Sequence, residues 1–190
     1  MELLHQAGHR LDVAFLDTGL HFAETLALRV RLQRRYGITI QAVAPEQSVD
    51  AQAADHGPAL WAHSPDRCCA LRKVQPLARL LRGRSAWVTG LRRDGSPTRA
   101  SVQTVEWDGQ HGLWKVNPLA AWSRQEVLDF VDDHGVPVNP LLSQGYRSVG
   151  CAPCTRPTAP GEDERAGRWQ GQAKTECGIH HLYERGEVVR

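Results

Sequence analysis

Residues 11–43 read LDVAFLDTGLHFAETLALRVRLQRRYGITIQAV, and this stretch decides the fold. Its opening, LDVAFL, is a short apolar run ended by the polar turn Asp17-Thr18-Gly19, the pattern of a buried strand. Phe22, Leu26 and Val30, flanked by Leu28 and Leu32, recur at helical spacing, and Gly37 stops the run. ITIQAV is then a second, β-branched strand. Strand, helix and strand in this succession form a βαβ unit, which joins parallel strands by a right-handed crossover. The expectation is an α/β fold with a doubly wound, mostly parallel sheet.

Outward from this unit, residues 49–81 look helical in pieces, with breaks expected at Gly57-Pro58, Ser64-Pro65 and Pro76. SAWVTGL, residues 85–91, reads as a third strand running into the polar loop RRDGSPTRAS. QTVEW and GLWKV are two short strands joined through Asp108-Gly109. SRQEVLDFVDDHG opens with the capping-box pair Ser123 and Glu126 and closes at Gly135, so residues 123–135 are predicted to be a helix. Beyond Gly135 the chain turns rich in Gly, Pro and polar residues and loses periodicity. Two parts are expected: an α/β domain over residues 1–150 and an irregular C-terminal segment over 151–190 that wraps the domain.

Of the 190 residues, 41% are apolar and 23% charged, and the net charge is +2. This is globular composition, and its near-neutral balance gives no general reason to expect nucleic acid or a membrane as partner. No apolar run approaches the ~18 residues that span a bilayer, and the first residues lack the pattern of a secretory signal. The expected compartment is the cytoplasm, where thiols stay reduced and cysteine spacing points to metal or redox chemistry.

The five cysteines are Cys68, Cys69, Cys151, Cys154 and Cys177. An adjacent pair and a CxxC form a set of four thiols. Thiolate ligation suits zinc and iron–sulfur clusters alike. Adjacent cysteines are awkward around one tetrahedral ion, whereas a cubane offers separate corners, so cluster, zinc and redox disulfide all stay open at this point. Cys177 stands apart in KTECGIHH, with Gly178 beside it and Lys174 and His180 near enough in sequence to stabilise a thiolate. It is a candidate nucleophile, against the plainer reading of a spare thiol on a polar tail.

The segments CCALRKVQPL, CAPCTRP, GEDERAGRW and KTECGIHH, in that order, resemble the assimilatory adenylylsulfate (APS) and phosphoadenylylsulfate (PAPS) reductases. VAFLDTGLHFAETL and WVTGLRRDGSPTRA extend the likeness upstream, so it covers nearly the whole chain. The resemblance implies the adenine-nucleotide alpha-hydrolase-like (PP-loop) version of the fold, with residues 1–150 as the nucleotide-binding domain. It implies a [4Fe-4S] cluster on Cys68, Cys69, Cys151 and Cys154, and Cys177 as catalytic nucleophile. Possession of all four cluster cysteines points to the APS branch, with PAPS as the alternative substrate. The reaction it implies is reduction of APS to sulfite and AMP through a Cys177 S-sulfonate, with thioredoxin or glutaredoxin as reductant. Substrate contacts are expected from the Asp17-Thr18-Gly19 turn, Lys73, Arg92, Arg93, Arg165, Arg168 and His180, with Arg99 a further candidate for anion binding.

Members of that family carry a first strand and a Ser/Gly-rich phosphate loop ahead of the segment matching MELLHQAG. No such loop precedes Leu11 here. Either Met1 is an internal methionine of a longer reading frame, or the chain is a shortened remnant that still binds a cluster. Weak nucleotide binding or low stability is expected of the 190-residue chain. ATP-dependent adenylation, another use of this fold, is disfavoured by the missing loop and by ECGIH. The sequence leaves the oligomeric state open.

Overall fold

The computed structural model describes residues 1–180 and, beyond them, the backbone of residues 183–184 and 187–188; the rest of the expected C-terminal segment lies outside the described residues. After a short helix α1 (Glu2–Gln6), strand β1 (Val13–Leu16), helix α2 (Ala23–Tyr36) and strand β2 (Ile40–Val43) form the expected unit. The strands are parallel, with Val13 opposite Ile40 and Leu16 opposite Val43. Gly37 ends α2 in the left-handed region at φ 58°, its N–H donating to the Gln33 carbonyl. A residue without Cβ adopts that conformation at no steric cost.

Helices α3 (Val49–His56) and α4 (Leu60–His63) stop where Gly57-Pro58 and Ser64-Pro65 were expected to stop them. The third break, at Pro76, does not occur. Helix α5 (Pro65–Cys69) runs through a π-helical turn (Ala70–Val74) straight into α6 (Gln75–Leu81). The widened turn has the Gln75 N–H donating to the Ala70 carbonyl, five residues back. It ends just before Pro76, the residue with no N–H to offer the normal ladder, so the proline opens a helix segment instead of closing one.

Strand β3 (Ala86–Val88) pairs parallel with β5 (Leu113–Val116), which pairs antiparallel with β4 (Val105–Asp108). The expected single sheet is therefore two: β1–β2, and β3–β5–β4. Among the described residues, β1 and β3 each keep one unpaired edge. An Asp12–Arg84 ion pair of 2.7 Å ties together the chain entering these strands. Leu77 and Leu81 of α6 pack with Leu113 of β5, and Leu16, Trp87 and Ile179 close around them, so one core spans both sheets. A second cluster joins Leu91, Val102 and Ala120.

Helix α7 (Arg124–Asp133) carries the predicted capping box: Ser123 Oγ accepts from the Glu126 N–H, and Glu126 accepts from the Ser123 N–H. The C-terminal segment runs from Cys151 in a 3-10 turn and loops, and a two-residue antiparallel pair, β6 (Tyr183–Glu184) with β7 (Glu187–Val188), follows. No helix among the described residues is long and apolar enough to cross a membrane.

Chemical denaturation separates the contributions of cap and core. Ser123→Ala is expected to lose about 0.5–2 kcal/mol of stability. Leu113→Ala, at a side chain 1% exposed in the shared core, is expected to lose about 2–5 kcal/mol.

Candidate active site

The turn that leaves β1 is the floor of the site. Asp17 Oδ1 accepts from the Gly19 N–H at 3.2 Å, and Asp17 Oδ2 lies 3.7 Å from Arg29. Thr18 is 0% exposed, and its Oγ1 sits 3.4 Å from Cys151 Sγ. The Leu20 carbonyl accepts from the Ala152 N–H at 2.7 Å, so the CxxC loop is seated on the residues just after the turn. From the other side Arg72, 3% exposed, donates Nε to the Thr18 carbonyl and Nη1 to Gln52 Oε1 at 3.0 Å. The LDTG turn, the CxxC loop and the helix of the cysteine pair thus meet at one place.

All five cysteines are free thiols. Cys68, Cys69 and Cys151 are buried, while Cys154 and Cys177 are half-buried. Burial pushes the Cys68 thiol up, and the charges of Cys151 and Cys154 push it further. Burial raises Cys69 to about 12 against the pull of Lys73, and Cys177 is among its repelling neighbours. Cys154 is raised by burial and by Cys151. Burial works against the Lys73 ammonium, but Cys151, Cys177 and Cys69 together outweigh it and hold Lys73 above the ordinary lysine value. Lys73 is thus a cation whose charge is favoured by the neighbouring cysteines. Among the described residues, no three His, Cys, Asp or Glu side chains close on a point as a single metal ion would require.

The ERAGRW stretch forms the opposite wall. The Arg156 N–H donates to the Gly167 carbonyl at 2.9 Å, and the Trp169 N–H to the Cys154 carbonyl at 3.2 Å, which zips this stretch to the exit of the CxxC. A Cβ on Gly167 would fall 2.3 Å from the Arg156 carbonyl oxygen, and one on Gly150 2.1 Å from Arg168 Nη2. The absence of a side chain at these two positions is what lets the backbone and the Arg168 guanidinium approach so closely. Trp169 is buried with φ 47°, unusual for a bulky residue. Its ring carries Arg168 at 4.4 Å, Lys174 at 5.5 Å and Arg165 at 5.6 Å. The Trp169 ring thus gathers three cations around it.

Glu176, the residue before Cys177, is 1% exposed. Arg99 grips it bidentately at 2.9 Å through both Nε and Nη2, and Arg165 Nη2 donates to it at 3.1 Å. The Thr98 hydroxyl adds a bond of 3.2 Å. Burial pushes the carboxyl up, but the hydrogen bond from Arg99 and the charges of Arg165 and Arg99 more than offset it and hold it below the usual range. Burial lowers Arg165 to about 10, against the opposing charge of Glu176. Gly178 packs against Val74 of the π turn.

The remaining expected residues are placed differently. Arg92 is paired to Asp94 at 3.0 Å and Glu164 at 2.9 Å, and Arg93 Nε donates to the Val102 carbonyl at 2.8 Å. Both bind protein groups, Arg92 next to the residue before Arg165. His180 stacks on Trp87 at 5.4 Å. Burial, then Lys115, Arg99 and Arg165, keep its pKa well below the ordinary value, so it is a neutral ring and not a cation for Cys177. Lys174 bonds Asp66 at the start of α5. Arg72, Trp169 and Glu176 escaped the sequence reading. Each stands next to a residue singled out there, Arg72 beside Lys73, Trp169 beside Arg168 and Glu176 beside Cys177, and that adjacency is the signal that could have found them. A cavity of about 260 Å³ beyond Cys154, bordered by Trp61, Arg156 and Trp169, does not include Cys177.

The tight wall is open to a direct test. Gly167→Ala drives a Cβ into backbone and is expected to cost about 1–3 kcal/mol of stability. Gly90→Ala, where a Cβ meets nothing within 4 Å, is expected to stay within about 0.5 kcal/mol. Thermal melts of the two variants decide it.

Known proteins carry the same sequence pattern and fold. Residues 1–157 match the model of the phosphoadenosine phosphosulfate reductase domain. An adenosine 5'-phosphosulfate reductase of Rhodococcus opacus (strain B4) is 51% identical over 180 residues, covering 95% of this chain and 73% of the relative. The protein of the same name from Mycobacterium bovis (strain BCG / Pasteur 1173P2) is 53% identical over 170 residues, covering 90% of this chain and 67% of its own. The crystal structure of a phosphoadenylyl-sulfate reductase from Candida auris superimposes with a TM-score of 0.72 at 30% identity, over 82% of this chain and 75% of that one. FMN adenylyltransferase of Candida glabrata shares the fold at 13% identity, with a TM-score of 0.57 over 95% of this chain and 59% of that one. With the motifs assembled at one place and the match running through most of the sequence, the chain belongs to the phosphoadenosine phosphosulfate reductase family.

Proposed function

We propose that the protein is an oxidoreductase that reduces adenylylsulfate to sulfite and AMP in sulfate assimilation. The observation that carries this reading is the seating of the CxxC loop and of the cysteine-pair helix on the Asp17-Thr18-Gly19 turn, with the Cys177 segment fastened to Arg165 through Glu176. Relatives about half identical over nearly the whole chain and named for adenosine 5'-phosphosulfate support APS over PAPS.

In the proposed chemistry the Cys177 thiolate attacks the sulfur of APS, forming an S–S bond as the bond from sulfur to the bridging phosphate oxygen breaks. AMP leaves with that electron pair, and sulfur stays on the enzyme as Cys177 S-sulfonate. A thiolate of reduced thioredoxin, or of glutaredoxin, then attacks Cys177 Sγ and expels sulfite. The reductant's second thiol resolves the mixed disulfide, so two electrons pass from a dithiol to sulfur. Lys73, Arg165 and Arg168 are the cations assigned to the sulfate and phosphate charge, which grows on the leaving phosphate. The Asp17-Thr18-Gly19 turn lies at the carboxyl end of β1, where ligands of such sheets bind. Arg92, Arg93 and His180 are retained as substrate contacts of lower rank, since each already has a protein partner. Residues 151–190 act as a segment that brings ligands and nucleophile to the domain of residues 1–150, in a cytoplasmic protein.

Cys68, Cys69, Cys151 and Cys154 would hold a [4Fe-4S] cluster. Their donor chemistry fits: four free thiols, with Lys73 to balance the charge. Neighbours on a helix point about 100° apart, so Cys68 and Cys69 suit a group with several metal corners better than one ion. When bound, the cluster supplies an anionic neighbour that keeps Lys73 charged beside the substrate.

Protein purified without oxygen and mixed with APS, and in parallel with PAPS, in the absence of thiol reductant is expected to gain a sulfonate on Cys177 from APS, read by intact mass and peptide mapping. Cys177→Ser is expected to abolish sulfite release and leave iron and sulfide content unchanged. Loss of both would show that the roles of the cysteines are misassigned.

A further inference from the structure

The segment of Cys177 is fastened on both sides of the thiol. Before it, Glu176 is held by Arg99 and Arg165. After it, Gly178 turns the chain at φ 81°, and Ile179 packs against Leu77, Leu81 and Leu113. His180 then stacks on the Trp87 indole, the rings 5.4 Å apart and 17° from parallel. This second fastening belongs to the sheet. Trp87 lies on β3, and its Nε1–H donates to Asp108 Oδ2 on β4 at 3.0 Å. Asp108, 5% exposed, also bonds His111 Nδ1 at 2.8 Å and accepts from the backbone N–H groups of Gln110 and His111. A carboxylate bonded on so many sides is fixed, and it fixes the plane of the indole on which His180 rests.

The seat suits an uncharged ring. Lys115 of β5, Arg99, Arg165 and His111 all face His180. The carboxylates nearby are committed to other partners: Asp108 to Trp87 and His111, Glu106 to Lys115 at 2.8 Å, and Glu176 to both arginines. His180 Nδ1 is buried with no partner among the described residues, so a proton placed there would meet cations and no acceptor.

We propose that Trp87 and Asp108 are positioning residues for the nucleophile: Asp108 sets the indole, the indole seats a neutral His180, and the seated His180 holds Cys177 in its docked place. That Cys177 attacks APS from this docked place rests on the reaction proposed above; the seat itself does not. The seat has a signature in pH. Burial and the surrounding cations keep the seated ring's pKa well below the ordinary value of about 6.5 that it regains when undocked. The seat therefore holds fully above about pH 6.5. Below that it weakens by up to about tenfold per unit, because protons bind the undocked ring.

The test follows alkylation of Cys177 by iodoacetamide in the metal-loaded protein, read on the Cys177 peptide by mass spectrometry. Each rate is compared with that of a free peptide of residues 172–180 at the same pH, which cancels the thiol's own titration and leaves the protection given by docking. Wild-type protection is expected to be level between pH 7 and 8 and to fall several-fold between pH 6.5 and 5.5. His180→Phe keeps a ring on Trp87 but cannot titrate, and is expected to stay protected at pH 5.5. Trp87→Leu is expected to lose protection several-fold at pH 7.5 and to form sulfonate from APS more slowly, so that one rate rises as the other falls. Asp108→Leu is expected to lose part of the protection, and Asp108→Asn, whose amide oxygen still accepts from the indole, to keep it. Wild-type protection that stays level down to pH 5.5, a His180→Phe protein that loses it like wild type, or a Trp87→Leu protein as protected as wild type overturns the seat. If Trp87→Leu does not fold, His180→Ala removes the stack from the other side and is expected to lose the same protection. A wild-type protein that forms no sulfonate counts against the reaction, while protection still judges the seat.

Discussion

The buried Arg72 guanidinium is the fastening on which the site depends. An ion this far from water is costly unless its donors are satisfied. Here they are directed at the Thr18 carbonyl, the Gln52 side chain and the carbonyls of Ser48 and Gln47. Those acceptors lie on the turn after β1 and around the start of α3, so the arginine sets the helix of the cysteine pair against both. The CxxC loop docks on the same turn from the other side. The CxxC loop and the helix of the adjacent cysteines, far apart in sequence, are brought to the same turn by that side chain and by these backbone bonds.

Charge explains much of what surrounds them. Buried thiols resist ionisation, and each one's charge opposes the others. Lys73 beside them and the cations on the Trp169 ring offset that repulsion. The π turn has a place in this arrangement. It lies between Cys69 and Pro76, and Arg72 and Lys73 both fall within it, the first bonded to the floor of the site and the second held above the ordinary lysine value by the neighbouring cysteines despite its burial. Glu176 supplies the opposite charge on the far wall and joins the nucleophile's segment to the body.

Local patterns carried well into the structure. The βαβ unit, the stop at Gly37 and the capping box at Ser123 were legible because each rests on side-chain periodicity or on a hydrogen bond within a few residues. Pro76 misled for a physical reason: a missing N–H ends an α-helix but is tolerated where the ladder has just widened. The single sheet became two because strand pairing is a long-range choice that alternation along one strand does not encode.

The sequence by itself determined the cysteine set, the nucleophile candidate and the α/β class, because residue type and spacing carry ligand chemistry and secondary-structure period directly. Only the tertiary structure decided what the charged residues do. Arg92 and Arg93 read the same as Arg165 and Arg168 on paper, yet the first two bind protein groups and the last two share the Trp169 ring. Glu176 was a plain polar residue until Arg99, from a loop distant along the chain, closed on it. The role of a charge is fixed by the partner that folding brings to it, and that partner is not in the neighbouring sequence.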